Sequence, residues 1–333
     1  MDFPPRPPSE APPAAPPGER RARRPPAAQA PPREPRTRRP RRDRSGLPAA
    51  TPPGRGRSGL PGATPPGRGR RETLARVGVA VPWVLLAIFI VAVGGIPFAL
   101  AMIGFAVIGL AEFFRMTARY RPMIPVAFAA AAGLVIAAYY GDQFQMLLVV
   151  VATFPVVFLF GVAQGARDGV TRSMAITVFG IAWIGIPFAH AVLLRELPLH
   201  GGALVIDVLV GTFVTDTAAY AGGRLFGRRQ LAPTLSPNKT VEGLVLGFVG
   251  GTMGFWFAGL YQDWLSGIDA LIMGMCIAAF GPLGDLFESM IKRDLDIKDS
   301  GRVFGPHGGL LDRLDALLFT IVIGYYLAIA FVY

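Results

Sequence analysis

The chain has 333 residues, of which 52% are hydrophobic, and its mean hydropathy is +0.45. A soluble domain rarely reaches that value, and several apolar stretches exceed the ~17 residues that cross a bilayer as a helix, so a soluble globular protein is excluded. The net charge of +11 belongs to residues 1–76, where 18 Arg outnumber six acidic residues, so the remaining chain is close to neutral.

Residues 1–76 hold 20 of the 31 prolines and a tandem repeat, RSGLPAATPPGRG at 44–56 followed by RSGLPGATPPGRG at 57–69. Such sequence cannot bury enough apolar surface to offset its ordering entropy, which predicts a disordered cytoplasmic tail before a transmembrane domain at 77–333. The arginines could contact anionic lipid headgroups. We expect no nucleic-acid partner, because no aromatic residues interleave with them, and no secretory signal peptide.

From Val77 the apolar runs predict an all-α polytopic integral membrane protein with about nine transmembrane helices. Connections after the second, fourth, sixth and eighth helices contain 13 Lys and Arg, whereas the others contain one, Arg195. The positive-inside rule therefore places the N-terminus and the basic connections in the cytoplasm of a protein of the cell (inner or plasma) membrane. The predicted helices span 77–93, 96–113, 122–140, 143–161, 174–193, 203–221, 241–260, 267–290 and 311–331.

The sixth predicted helix carries an acidic residue, Asp216, within the apolar run. Carboxylates at membrane depth are costly and indicate function by default, although a lone one can be a satisfied core residue. The loop that follows contains SPNKTVEG, with Lys239 and Glu242, after three arginines. This basic loop could equally do no more than obey the positive-inside rule.

The end of the eighth predicted helix, GPLGDLFESMIKR, places four polar residues at helical spacing. Asp285, Glu288, Ser289 and Lys292 lie at i, i+3, i+4 and i+7, so they share one helix face. A functional site and a simple ion pair at the helix end both explain this pattern.

Lys, Arg, Asp and Glu make up ten of the 24 residues from Lys292 to Asp315, between two apolar runs. Within this stretch His307-Gly308-Gly309 leads into the ninth helix, where Asp312 and Asp315 lie one turn apart. Free N–H groups at the helix start could hold phosphate oxygens, whereas the carboxylates could simply complement the helix dipole.

Together these residues favour a site for Mg²⁺, a polyphosphate and an acceptor dissolved in lipid. Carboxylates suit Mg²⁺, and the chain has no Cys/His cluster for a softer metal. It has one cysteine, Cys276, which excludes an intramolecular disulfide, and no GxxxxGK[ST] loop. We expect His190 and His200 to be structural.

The segment Ser289–Asp315, SMIKRDLDIKDSGRVFGPHGGLLDRLD, resembles the signature of the phosphatidate cytidylyltransferases, S-x-x-K-R-x4-K-D-x-[GSA]…H-G-G-x-x-D-R-x-D. DTAAYAGGRLFG, SPNKTVEG and GDLFES are similar to further family segments, so the resemblance covers about 75–333. One departure is Gly305-Pro306, where the family usually has Pro-Gly before His-Gly-Gly.

The resemblance implies that CTP and phosphatidic acid, in a lipid membrane, give CDP-diacylglycerol and pyrophosphate in phospholipid biosynthesis, with Mg²⁺ held by the catalytic carboxylates of Asp285 and Asp312. A homodimer is also implied, and a second, monovalent cation stays open. Further implied catalytic residues are Lys292, Arg293, Lys298 and Asp299. Implied substrate-binding residues are Asp216, Lys239, Glu242, Ser289, His307, Gly308, Gly309, Arg313 and Asp315.

Two other functions remain open at this point. A polyprenol or dolichol kinase would share the basic loops and carboxylates but would transfer the γ-phosphate of CTP. A transporter would use Asp216 and Asp285 as an ion path, although no inverted repeat is present.

Overall fold

The computed structural model describes residues 84–165, 168–298, 300–301 and 308–333. The predicted disordered tail lies outside these residues, as do Asp299 and His307. Seven helices in the described part are long and apolar enough to cross a membrane, so the chain is an α-helical, multi-pass membrane protein. Two further apolar helices are shorter, and the prediction that they also cross the membrane stays a prediction.

Each of the nine predicted helices has a counterpart in the structure, in the same order. The helices are α1 (Val84–Val93), α2 (Gly95–Met116), α3 (Ile124–Tyr140), α4 (Gln143–Ala163), α5 (Val170–Arg195), α6 (Gly201–Phe226), α7 (Val241–Gly259), α8 (Gly267–Asp294) and α9 (Leu311–Phe331).

Helix α5 contains a π-helical turn, Ile181–Gly185, that the sequence analysis did not predict. The N–H of Ile186 donates to the carbonyl of Ile181, five residues earlier. Pro187 follows directly, and its ring would clash with the carbonyl four residues before it in a regular α-helix. The wider turn relieves that clash and places Trp183 in the interior, where it is buried.

The loop after α6 contains regular structure that the sequence analysis did not predict. It forms an antiparallel hairpin of β1 (Gln230–Ala232) and β2 (Ser236–Thr240), with Gln230 opposite Thr240. Thr240 then ends β2 and caps α7, because its hydroxyl accepts a hydrogen bond from the N–H of Gly243 at 3.1 Å. The hairpin therefore leads directly into α7 with a fixed geometry.

The centre of the helix bundle is formed by α2, α3, α5, α8 and α9, whose facing side chains form one continuous buried cluster. Helix α4 lies at the edge, where most of its large apolar side chains are exposed and suited to lipid contact. Helix α9 packs against α8, α5 and α6, so it is held on several sides.

Arg195, the one basic residue in the loops assigned to the outside, has a structural partner. Its Nε donates to the carbonyl of Val91 at 2.6 Å, at the C-terminal end of α1. A cation at this end complements the helix dipole and satisfies a terminal carbonyl. This contact therefore explains why a basic residue lies in a loop that the positive-inside rule assigns to the outside.

Helices α6 and α7 approach closely because glycines line their interface. Gly243, Gly247 and Gly251 repeat every four residues along α7 and face α6, which is the small-residue pattern typical of packed membrane helices. A Cβ at Gly251 would lie 1.8 Å from the Thr215 hydroxyl oxygen.

We predict that Gly251→Ala lowers the free energy of unfolding by about 1–3 kcal/mol, because the added methyl forces the two helices apart. Gly104→Ala is the matched control, since a Cβ at Gly104 would have no neighbour within 4 Å. The measurement is the thermal denaturation midpoint of both variants in one detergent. Equal midpoints for the two variants would contradict the proposed packing of α6 on α7.

Candidate active site

The polar residues of α8 and α9 meet where the two helices touch. Gly284 permits this approach, because a Cβ at that position would lie 2.4 Å from the carbonyl oxygen of Asp315. The next residue of α8 is Asp285, so the close contact brings carboxylates of the two helices to the same place. The spacing predicted from sequence is confirmed, since Ser289 donates to Asp285 at 3.4 Å, one turn away.

Lys292 is the cation that connects the two helices. Its Nζ lies 2.8 Å from Asp312 Oδ1 and 3.4 Å from Glu288 Oε1. The side chain of Glu288 is fully buried, and those of Lys292 and Asp312 are only 13% and 14% exposed. This ion pair is therefore part of the interior and not a snorkelling contact at the helix end.

The β1–β2 hairpin supplies a second cation. Lys239, on β2, forms a salt bridge with Asp285. At the other end of the hairpin, Arg293 of α8 donates to the carbonyl of Leu235 at 3.2 Å. These two contacts hold the hairpin against the C-terminal part of α8.

Two further carboxylates interact with the charged side chains of Lys239, Asp285 and Glu288. Asp216, from α6, interacts electrostatically with Asp285 and Lys239. Asp315, from α9, interacts with Asp216, Asp285 and Glu288. Four elements, α6, β2, α8 and α9, thus bring acidic and basic side chains to one end of the bundle.

The oxygens of Glu288 have an unusual environment. Both are buried and neither makes a hydrogen bond of regular geometry, although the Lys292 ammonium lies 3.4 Å from Oε1 and Asp315 also interacts with this carboxyl group. Buried carboxylate oxygens normally accept hydrogen bonds, so the burial of Glu288 depends mainly on its ion pair with Lys292. Among the described residues no group of three or more His, Cys, Asp or Glu side chains has the arrangement of a formed metal site.

Aromatic rings form an apolar wall beside the acidic residues. Trp183, in the π-helical turn, lies edge-on to Phe113 at 5.6 Å and to Phe287 at 5.5 Å between ring centroids. Phe287 precedes Glu288, and it also contacts Phe319 of α9 at 5.3 Å. The wall lowers the local dielectric and so strengthens the ion pairs next to it.

A sequence model of the cytidylyltransferase family matches residues 74–331, which is more than half of the chain. The chain belongs to this family. The match covers all the described helices and includes every residue of the acidic and basic group.

Three relatives illustrate the similarity to the family. The phosphatidate cytidylyltransferase of Bacillus subtilis is 30% identical over 254 residues, 73% of this chain and 93% of that protein. That of Staphylococcus saprophyticus is 38% identical over 152 residues, 44% of this chain and 56% of the relative. Escherichia coli "uncharacterized protein YnbB" is 36% identical over 187 residues, 54% and 62% of the two chains. The last two alignments thus span less than two thirds of the relatives.

Other residues implied by the family signature lie at the hairpin or at the surface. Glu242 accepts hydrogen bonds from the backbone N–H groups of Arg228 and Arg229, at 3.0 and 3.2 Å, and so stabilises the entry to the hairpin. Lys298 and Arg313 are exposed. Asp299 and His307 lie outside the described residues.

One possibility for the start of α9 is that its free N–H groups hold phosphate oxygens, and three of these N–H groups already have side-chain partners. The N–H of Gly309 donates to Asp312 Oδ2 at 2.9 Å, and those of Leu310 and Leu311 donate to Glu112, each at 3.0 Å. Side-chain carboxylates therefore satisfy these three donors.

Glu112 was missed by the sequence analysis, although a signal was present. It is the sole acidic residue of α2, within an apolar run, and an acidic residue in such a run indicates a specific partner. Its partners lie about 200 positions along the chain, so periodicity and local spacing could not identify them.

We predict that Lys292→Met destabilises the protein by about 3–5 kcal/mol, because Glu288 is then buried without its cation. Lys239→Met is the matched comparison and should cost at most about 1 kcal/mol, since that pair is 25% and 31% exposed. Thermal denaturation in detergent without substrates measures both. Adding Glu288→Gln to Lys292→Met should restore much of the loss, and no restoration would contradict this assignment.

Proposed function

We propose that this protein is a phosphatidate cytidylyltransferase, which makes CDP-diacylglycerol and pyrophosphate from CTP and phosphatidic acid. Family membership and the two relatives that carry this name support the proposal. The observation that carries it is the group of carboxylates and lysines at the α8–α9 contact, because it combines the charges that a triphosphate and its metal require. A lipid acceptor can approach such a group from the bilayer.

The carboxylates fit Mg²⁺, which prefers hard oxygen ligands. Asp285 and Asp312 would hold the ion, as the family signature implies, and Glu288 shares the Lys292 ammonium with Asp312. When bound, Mg²⁺ neutralises charge on the phosphate oxygens as a Lewis acid. Lys239 and Lys292 would neutralise the remaining negative charge from two sides.

The reaction forms one bond and breaks one bond at the α-phosphorus of CTP. An oxygen of the lipid phosphate attacks that phosphorus, and the bond to the bridging oxygen of the β-phosphate breaks, so pyrophosphate leaves with the electron pair. The attacking oxygen is already ionised at neutral pH, and no general base is needed. The protein must therefore align two anions and neutralise the charge that develops, chiefly through Lys and Arg.

The proposal also places the site at the cytoplasmic face, with CTP supplied from the cytoplasm. Lys239, Lys292 and Arg293 all lie at one end of the bundle, which is the end favoured by the distribution of Lys and Arg. The opposite end carries the α7–α8 connection.

We predict that the purified protein in detergent transfers label from cytidine-labelled CTP into the chloroform phase when phosphatidic acid and MgCl₂ are present. Asp285→Asn should reduce the rate at least about 100-fold, because it removes a charge that holds the metal. EDTA should abolish transfer in the unaltered enzyme. Transfer that survives both treatments would refute the metal assignment, and CDP with a phosphorylated alcohol as products would refute the reaction.

The orientation can be tested with single cysteines in a Cys276→Ser background. Gln230→Cys lies on the hairpin, and Tyr261→Cys lies at the other end of α7, where Tyr261 is 92% exposed. A membrane-impermeant maleimide should label Gln230→Cys in inside-out vesicles and Tyr261→Cys in right-side-out vesicles. The reverse pattern would place the site on the outer face.

A further inference from the structure

The buried carboxylate of Glu112 has no part in the reaction as proposed, yet it contacts the segment that bears the acidic residues of α9. It lies on α2, and its side chain is fully buried. Burying an ionised carboxylate is costly unless its oxygens receive hydrogen bonds. The groups that donate hydrogen bonds to Glu112 therefore indicate its role.

These donors come from the start of α9 and the loop before it. Glu112 Oε1 accepts from the N–H of Leu310 and Oε2 from that of Leu311, both at 3.0 Å, while the hydroxyl of Ser300 lies 3.4 Å from Oε2. Helix α9 has no side-chain cap of its own. Glu112 thus caps α9 from another helix, with a charge that suits the N-terminal end of the helix dipole.

Two glycines make room for this carboxylate. A Cβ at Gly301 would lie 2.5 Å from Glu112 Oε1, and a Cβ at Gly309 would lie 2.5 Å from Oε2. Any side chain at either position would displace the carboxyl group. The glycines at these two positions therefore have a steric reason that involves α2.

The same loop segments also contact Asp312. Its Oδ2 accepts from the N–H of Ser300 at 3.0 Å and from that of Gly309 at 2.9 Å, while Oδ1 binds Lys292. Any shift of Ser300 or of the first turn of α9 would therefore move Asp312 relative to α8. Glu112 restrains both segments at once.

We propose that Glu112 is a positioning residue, through which α2 fixes the start of α9 so that Asp312 and Asp315 stay in register with Asp285 and Lys292. The inference rests on the proposed function for its catalytic consequence, but the contact itself does not. Glu112→Gln is the informative change, because it keeps the shape while replacing one acceptor oxygen with a donor that faces another donor.

The first experiment is hydrogen exchange of the peptide that contains Leu310 and Leu311, without substrates. Exchange of these amides should be at least about 10-fold faster in Glu112→Gln, because a lost acceptor frees the helix end. Asp207→Asn is the matched control, since Asp207 is another buried carboxylate, held by Gln262 near the far end of α6. Unchanged exchange in Glu112→Gln would overturn the proposal.

The second experiment measures turnover and its dependence on Mg²⁺. Glu112→Gln should lower kcat by about 10–100-fold, because misplaced carboxylates lose alignment. It should also raise the Mg²⁺ concentration for half-maximal rate, with KM for phosphatidic acid unchanged. Asp207→Asn should change neither. Faster exchange with wild-type kcat and Mg²⁺ dependence would show a structural cap only, and would overturn the positioning role.

A third measurement uses Gly301→Ala, which displaces the carboxylate without altering Glu112. The kcat of Gly301→Ala should fall as much as that of Glu112→Ala. The double variant that carries both changes should have a kcat no lower than that of the slower single variant, because both changes remove the same contact. Additive losses would contradict the proposal. If the unaltered protein transfers no label, the proposed function fails, whereas exchange at Leu310 and Leu311 still decides whether Glu112 holds α9.

Discussion

The need to neutralise carboxylates inside the membrane bundle governs the rest of this structure. Glu288 is fully buried on α8, and Asp312 faces it from α9, so one ammonium group, that of Lys292, has to serve both. Its position requires α8 and α9 to touch, which Gly284 permits. The ion pair therefore depends on the helix contact, and removing Lys292 alone would leave two carboxylates in the interior without their cation.

The surrounding elements support this contact from several directions. The hairpin brings Lys239 to Asp285, while α2 contributes Glu112 to the first turn of α9. The π-helical turn of α5 places Trp183 against Phe287, directly before Glu288. Together they hold the charged end of the bundle from three directions, which suits a site that works by alignment and electrostatics.

A charged site at the edge of a bilayer can serve two substrates of different solubility. CTP carries its charge in water, whereas phosphatidic acid is confined to the membrane with its phosphate at the headgroup level. For the proposed reaction, the carboxylates and lysines gathered toward one end of α6, α8 and α9 offer one position to both phosphates.

The sequence by itself determined the helices, their order and the main polar residues of α8 and α9, because apolar length and helical spacing are local properties. It could not find the π-helical turn, the hairpin or the role of Glu112, since each depends on neighbours brought together by folding. It also left open whether the N–H groups at the start of α9 are free, and the structure shows three of them bound to carboxylates. A residue in α2 and a loop about 200 positions later become partners only when the bundle closes, so tertiary structure alone decided how that end of the site is held.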